Sequence, residues 1–198
     1  LLSMSGHKLG APKGIGAIYI RKGVNIEPLI FGGAQEKRKR AGTENIAGIV
    51  GLGRAAELAV AEMEETTKKL IRLRDKLIRG ILENIPYSRL NGHPSDRLPG
   101  NCNISFSYIE GESLLLLLDS LGIAASSGSA CTSGSLDPSH VLMAIGLPHE
   151  TAHGSLRMTL DRENTEEEVD FILEKLPAIV QKLRDMSPLY EEAVKNGR

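Results

Sequence analysis

The sequence predicts an α/β protein, and three observations carry that expectation. Short β-rich runs alternate with stretches of helical periodicity along the whole chain. Capping and turn residues punctuate them at the expected places. With 198 residues, 41% of them apolar, the chain has enough material for the core of one domain or of two small ones.

The elements follow in order. Gly10-Ala11-Pro12-Lys13-Gly14 is a loop by its Gly and Pro, and residues 15–20 (IGAIYI) read as a buried strand. Pro28-Leu29-Ile30-Phe31 reads as a short second strand stopped by Gly32-Gly33. After the basic run Lys37-Arg38-Lys39-Arg40, Thr43 is the expected N-cap of a helix carrying Ile46, Ile49, Val50, Leu52, Ala55, Leu58 and Ala59. A second helix uses Leu70, Leu73, Leu77, Ile78 and Ile81 and stops before Pro86. The composition change between them puts a domain boundary near 62–70, giving domains 1–65 and 66–198. Further on, Asn101 to Ser107 alternates as a strand, Glu112 to Leu121 is a leucine-rich helix, and Asp137-Pro138 starts another helix. Ser155 to Leu160 alternates again, and Thr165-Glu166-Glu167-Glu168 is a capping box. Pro177 is expected to kink or split the last helix and Pro188 to end it, with frayed residues beyond.

Composition narrows the function classes. Twenty-four Lys plus Arg against 25 Asp plus Glu leave a net charge of −1, which gives no reason to expect nucleic acid or an anionic membrane as a partner. No apolar run is longer than that of Leu114 to Leu118, five residues, far short of the ~18 a membrane span needs. Two Cys fit a reducing compartment, so a cytoplasmic protein is expected. The opening Leu1-Leu2-Ser3-Met4 reads like the interior of a longer protein, so the chain is expected to be a C-terminal part.

Four places could carry chemistry. Ser5-Gly6-His7-Lys8 precedes the Gly/Pro loop, where small residues let a ligand approach the backbone; alone, Lys8 reads equally as a surface lysine. Arg40-Ala41-Gly42-Thr43 at a helix start combines a hydroxyl, basic side chains and free N–H groups, as an anion site would, or is simply a capped helix behind a solvated basic run. Cys131 lies in Ser126–Ser135, a stretch in which eight of ten residues are Ser, Gly or Thr. A thiol on such a tether is a liability unless it reacts, whereas Cys102, in an alternating strand, reads as structural. Arg157, in Ser155-Leu156-Arg157-Met158-Thr159, points to one face of a sheet, where its fork suits a carboxylate if that face is buried. His140, His149 and His153 follow Cys131 at spacings that match no zinc pattern, so no dedicated metal site is expected.

Together and in this order, the motifs Ser-Gly-His-Lys, Arg-Ala-Gly-Thr-Glu-Asn, Ser-Ser-Gly-Ser-Ala-Cys-Thr-Ser and Ser-Leu-Arg-Met-Thr resemble the cysteine desulfurases of iron–sulfur cluster assembly. The likeness is to the branch with a mobile cysteine loop, here 126–135. It implies the C-terminal part of the pyridoxal-phosphate (PLP) dependent aspartate-aminotransferase (type I) fold: the end of the large-domain sheet, linking helices and the small α/β C-terminal domain. It further implies that Lys8 holds PLP covalently and moves protons at the substrate, that Ser5 and His7 line the cofactor phosphate, and that Thr43 reaches the phosphate held by a partner subunit of a homodimer. Arg157 would grip the substrate carboxylate. Cys131 would take the sulfur of L-cysteine as a persulfide, leaving L-alanine, and hand it to a scaffold protein or another acceptor, in some members serving also as a transient cluster ligand. The half of the family chain that carries most of the large-domain sheet is not represented, so this chain alone is expected to be an incomplete enzyme. The rival readings are a selenocysteine lyase or cysteine-sulfinate desulfinase, a PLP-independent sulfur carrier using Cys131 alone, and a non-catalytic fragment acting by association.

Overall fold

The computed structural model describes residues 1–127 and 138–196. It divides into two units, Leu1–Glu64 and Glu65–Arg198.

The first unit is built on an antiparallel hairpin of β1 (Leu2–Ser5) and β2 (Gly16–Tyr19), in register Leu2↔Tyr19 to Ser5↔Gly16. A 3-10 turn, η1 (Gly6–Leu9), follows β1 directly. Residues 28–31, expected as a strand, are not one: Leu29 and Phe31 are among the most exposed apolar side chains of the chain. An apolar run makes a strand only where an edge pairs with it and a layer covers it, and among the described residues neither does so. The segment α1 (Gln35–Arg38) is a left-handed turn, since Glu36, Lys37 and Arg38 have φ of 49°, 57° and 64°. Helix α2 (Ile46–Ala61) is capped by Asn45, whose Oδ1 accepts from Gly48 N at 3.0 Å. Thr43, the expected cap, stands further back in exposed loop; an amide in direct reach of the first turn outcompetes it.

In the second unit a three-stranded antiparallel sheet has the order β3-β4-β5, formed by β3 (Ser88–Leu90), β4 (Asn101–Phe106) and β5 (Ser155–Thr159). Period-two alternation gives β4 two unlike faces. Cys102, Ile104 and Phe106 are fully buried, and with Leu156 and Met158 of β5 they join one core. Helix α3 (Met63–Asn84) contributes Leu73, Leu77, Ile78 and Ile81, α4 (Gly111–Asp119) contributes Leu114 and Leu118, and α7 (Glu166–Asp185) contributes Val169, Leu176, Val180 and Leu183. Each fully buried Leu or Ile supplies about 1.5–3 kcal/mol of burial. The capping box is formed: Thr165 Oγ1 accepts from Glu168 N, and Glu168 Oε2 accepts from Thr165 N.

Two proline expectations are corrected. Pro177 lies inside one continuous α7, and Pro188 opens rather than ends a helix, standing first in α8 (Pro188–Lys195), where its missing N–H costs nothing. Two short helices, α5 (His140–Ala144) and α6 (His149–His153), lead into β5. Asp137 lies outside the described residues; Pro138 is not helical, and Ser139 is the residue before α5.

Gly154 fixes the start of β5. A Cβ there would stand 2.1 Å from the Phe106 carbonyl oxygen and 3.0 Å from that of Ile109. Gly154→Ala must displace backbone, and is expected to lower stability by about 1–3 kcal/mol or more, read as a lower urea midpoint at unchanged slope.

Burial pushes the Cys102 thiol up from 9.0 to about 12. The folded chain therefore keeps this proton across a pH window in which the unfolded chain gives it up. The stability it adds is complete below about 9.0 and is lost progressively as pH rises toward about 12. The stability gap between wild type and Cys102→Ala is expected to shrink inside that window relative to neutral pH, measured by urea unfolding.

Candidate active site

In the first unit, glycines bring the chain into contacts that no side chain would allow. Gly6 is buried and donates to Ile15 O at 2.9 Å; a Cβ would stand 2.9 Å from both Ile15 Cγ2 and Ile15 O. A Cβ on Gly16 would stand 2.6 Å from Met4 O. Gly10, with φ of 82°, closes the turn by donating to His7 O. Ser5, at the end of β1, and His7 and Lys8, on η1, are thereby carried together at one end of the hairpin, all three exposed. Among the described residues Lys8 has no ion pair and no hydrogen bond, so its amine is uncommitted.

Thr43 belongs to the same unit. Its loop is pinned by Ala41, which is buried and donates to Ile30 O, and by Gly42 N, which donates to Gln35 Oε1 at 3.1 Å. The Arg40 guanidinium donates to Ala41 O at 2.7 Å. Thr43 itself is exposed.

Arg157 belongs to the second unit. Its backbone pairs with Ser126: Arg157 N donates to Ser126 O at 2.6 Å and Ser126 N to Arg157 O at 3.1 Å. Its Nη2 donates to Ser126 Oγ at 3.3 Å. Among the described residues no carboxylate pairs with this half-buried guanidinium. It lines a pocket of about 450 Å³ together with Asn91, Asn101, Asn103, Ser139 and His140, and none of the described lining residues is acidic. A larger cavity of about 750 Å³, lined by Glu110, His149, His153, Met186 and Glu192, holds none of the expected site residues. The pocket with the unpaired cation is therefore the candidate, because a buried charge needs a counter-charge more than a cavity needs volume.

Cys131 lies outside the described residues, which stop at 127 and resume at 138. The His149 and His153 rings approach to 4.9 Å between centroids, tilted by 56°, and among the described residues no three His, Cys, Asp or Glu side chains gather to hold a metal. No helix of the described residues is long and apolar enough to cross a membrane.

Sequence reasoning missed the amide neighbours of Arg157. Their signal was present: Asn101, Asn103 and Ser105 occupy the alternate positions of β4, opposite Cys102, Ile104 and Phe106.

A family model described as aminotransferase class-V matches residues 1–172. The chain belongs to the class-V aminotransferase family. Cysteine desulfurase IscS of Methanosarcina thermophila is 65% identical over 189 residues, covering 96% of this chain and 46% of that protein. Cysteine desulfurase IscS of Clostridium botulinum (strain Hall) is 61% identical over 199 residues, covering 99% of this chain and 50% of that protein. Among solved structures, a NifS-like protein superposes with a TM-score of 0.81 at 41% identity, over 91% of this chain and 46% of its own. This class-V aminotransferase chain thus spans about half the length of the curated relatives it matches, and its mixed α/β elements are part of the type I fold of those PLP-dependent enzymes.

The residues of the first unit fit PLP. The cofactor needs an amine for its aldehyde and donors for its phosphate. The hairpin end offers an uncommitted lysine amine, a hydroxyl and an imidazole, all exposed, on a turn whose close packing requires Gly6.

Proposed function

We propose that this class-V aminotransferase chain is the C-terminal half of a PLP-dependent cysteine desulfurase. The reading applies to the complete enzyme, meaning this chain joined to the half of the family length it does not span. In it, Leu1–Glu64 is the end of the cofactor-binding large domain and Glu65–Arg198 the small domain. The enzyme removes sulfur from L-cysteine, releases L-alanine, and passes the sulfur to an iron–sulfur scaffold protein or another acceptor. It works in the cytoplasm as a homodimer, with Thr43 reaching the partner subunit's cofactor phosphate.

The observation that carries the reading is the bridge between Arg157 and Ser126. Cys131 is five residues along the chain from Ser126. Five residues reach at most ~17 Å, so the thiol is tethered within reach of any molecule whose carboxylate Arg157 holds.

The chain's residues divide the work as follows. Lys8 Nζ would hold the cofactor, with Ser5 and His7 at its phosphate. Arg157 orients the substrate by its carboxylate. Lys8 Nζ would also move the proton at the substrate α-carbon. When bound, PLP supplies the sink for the electron pair freed there. The Cys131 thiolate attacks the substrate sulfur: a sulfur–sulfur bond forms, the Cβ–S bond breaks, its electron pair stays on Cβ, and a proton converts that carbon to the methyl of alanine. Sulfur leaves as the persulfide of Cys131.

The test is a product assay of the complete enzyme with L-cysteine, L-selenocysteine and cysteine sulfinate. Alanine is expected from L-cysteine with dependence on Cys131. Turnover of selenocysteine or sulfinate alone, independent of Cys131, would transfer the reading to a lyase or desulfinase. Arg157→Ala is expected to raise KM for L-cysteine by about 10–100-fold with a smaller change in kcat, because it removes a charged hydrogen bond made in the ground state.

A further inference from the structure

The pocket around Arg157 holds a second polar group, the Asn103 side-chain amide, which Asn91 anchors. Asn103 stands directly across from Arg157 in the β4–β5 register. The N–H and C=O of Arg157 both face Ser126, on the far side from β4. The Asn103–Arg157 pair is therefore a non-hydrogen-bonded one, the kind that brings two side chains closest on one face of a sheet. Both residues are half-buried and both line the 450 Å³ pocket.

One end of the Asn103 amide is anchored by Asn91. Asn91, 5% exposed, donates from Nδ2 to Asn103 Oδ1 at 2.7 Å and to Ser105 Oγ at 2.9 Å. Asn91 N donates to Asn103 O at 2.9 Å, which places Asn91 on the β3 side of β4. With Oδ1 committed there, Nδ2 of Asn103 faces away from β3, and β5 with Arg157 lies on that other side. Among the described residues this N–H₂ has no acceptor. An amide donor without an acceptor and a guanidinium without a carboxylate partner thus adjoin in a pocket whose described lining residues include no acidic one.

We infer that Asn103 Nδ2 is a second donor, beside Arg157, to the carboxylate of the amino-acid substrate. The inference rests on the desulfurase reading of Arg157. Asn91 is then a positioning residue that holds the Asn103 amide in its donating orientation. An acyl oxygen pair matches the two donors: the guanidinium takes the charge, and the neutral amide fixes the plane of the carboxylate.

The experiment uses the complete PLP-loaded enzyme and follows binding, not turnover, through the cofactor's visible absorption. L-Alanine, which carries the carboxylate, is titrated beside L-alaninamide, which does not. Asn103→Ala is expected to weaken L-alanine binding about tenfold or more, the effect of one hydrogen bond to a charged group, and to leave L-alaninamide unchanged. Asn103→Asp keeps the acceptor for Asn91, and with it the fold. It replaces the donor by a negative charge, and so is expected to weaken L-alanine further, again without touching L-alaninamide. Equal weakening of both ligands would make Asn103 merely structural and overturn the inference. Loss of the carboxylate preference in Arg157→Ala, with the Asn103 variants indistinguishable from wild type, would overturn it while leaving the reading of Arg157 standing. If Arg157→Ala kept the preference for L-alanine, the reading of Arg157 would fall, and this inference with it.

Discussion

Cys131→Ser in the complete enzyme is expected to stop persulfide formation and to lower alanine release from L-cysteine by at least about 10³-fold, the effect of removing a nucleophile that acts in concert with its partners. Cofactor loading, read by visible absorption, should be unchanged, because Cys131 does not hold the cofactor in this account. Cys102 cannot substitute. It is fully buried on the apolar face of β4, and its thiol is pushed up to about 12, so almost none of it is thiolate near neutral pH. Retention of alanine release in Cys131→Ser would mean that another acceptor takes the sulfur directly.

Lys8→Ala has the second large effect. In the desulfurase reading it removes the amine proposed to hold the cofactor and move the α-carbon proton, and alanine formation is expected to fall by about 10²–10⁴-fold. Borohydride reduction of the wild-type enzyme should leave a pyridoxyl label on the peptide containing Lys8; the variant should carry none. The same variant separates the desulfurase from a carrier that needs only its cysteine: persulfide still forming on Cys131 without Lys8 would favour the carrier.

Helix α3 was legible because its apolar positions recur at a period the core enforces, whereas Ile46, Ile49 and Val50 of α2 are exposed. Leu73, Leu77, Ile78 and Ile81 are all buried as the spacing requires. The capping box at Thr165 was legible because its chemistry is local. What escaped depended on partners distant in sequence. Leu29-Ile30-Phe31 looks like a buried strand and is exposed coil, since apolar character cannot say whether a neighbouring edge exists. Strand β3 has three residues, too few for a pattern, and owes its existence to pairing with β4. Pro188 was read as a stop, though proline suits the first position of a helix equally well.

The candidate site divides the same way. Ser5, His7 and Lys8 are contiguous in sequence, so their grouping at one hairpin end was readable once Gly6 and Gly10 marked the turn. The surroundings of Arg157 come from four separate places in the chain. No protein carboxylate pairs with Arg157 among the described residues, and its polar neighbours there are hydroxyl, amide and imidazole groups.

The most direct measurement follows the sulfur atom. The complete PLP-loaded enzyme is given L-cysteine labelled at sulfur, trapped with an alkylating reagent before any acceptor is added, and digested for mass spectrometry, with alanine counted in the same sample. The account predicts one labelled sulfur on the peptide containing Cys131, in step with alanine, and none on Cys102. Alanine formed with the label absent from Cys131 would contradict it.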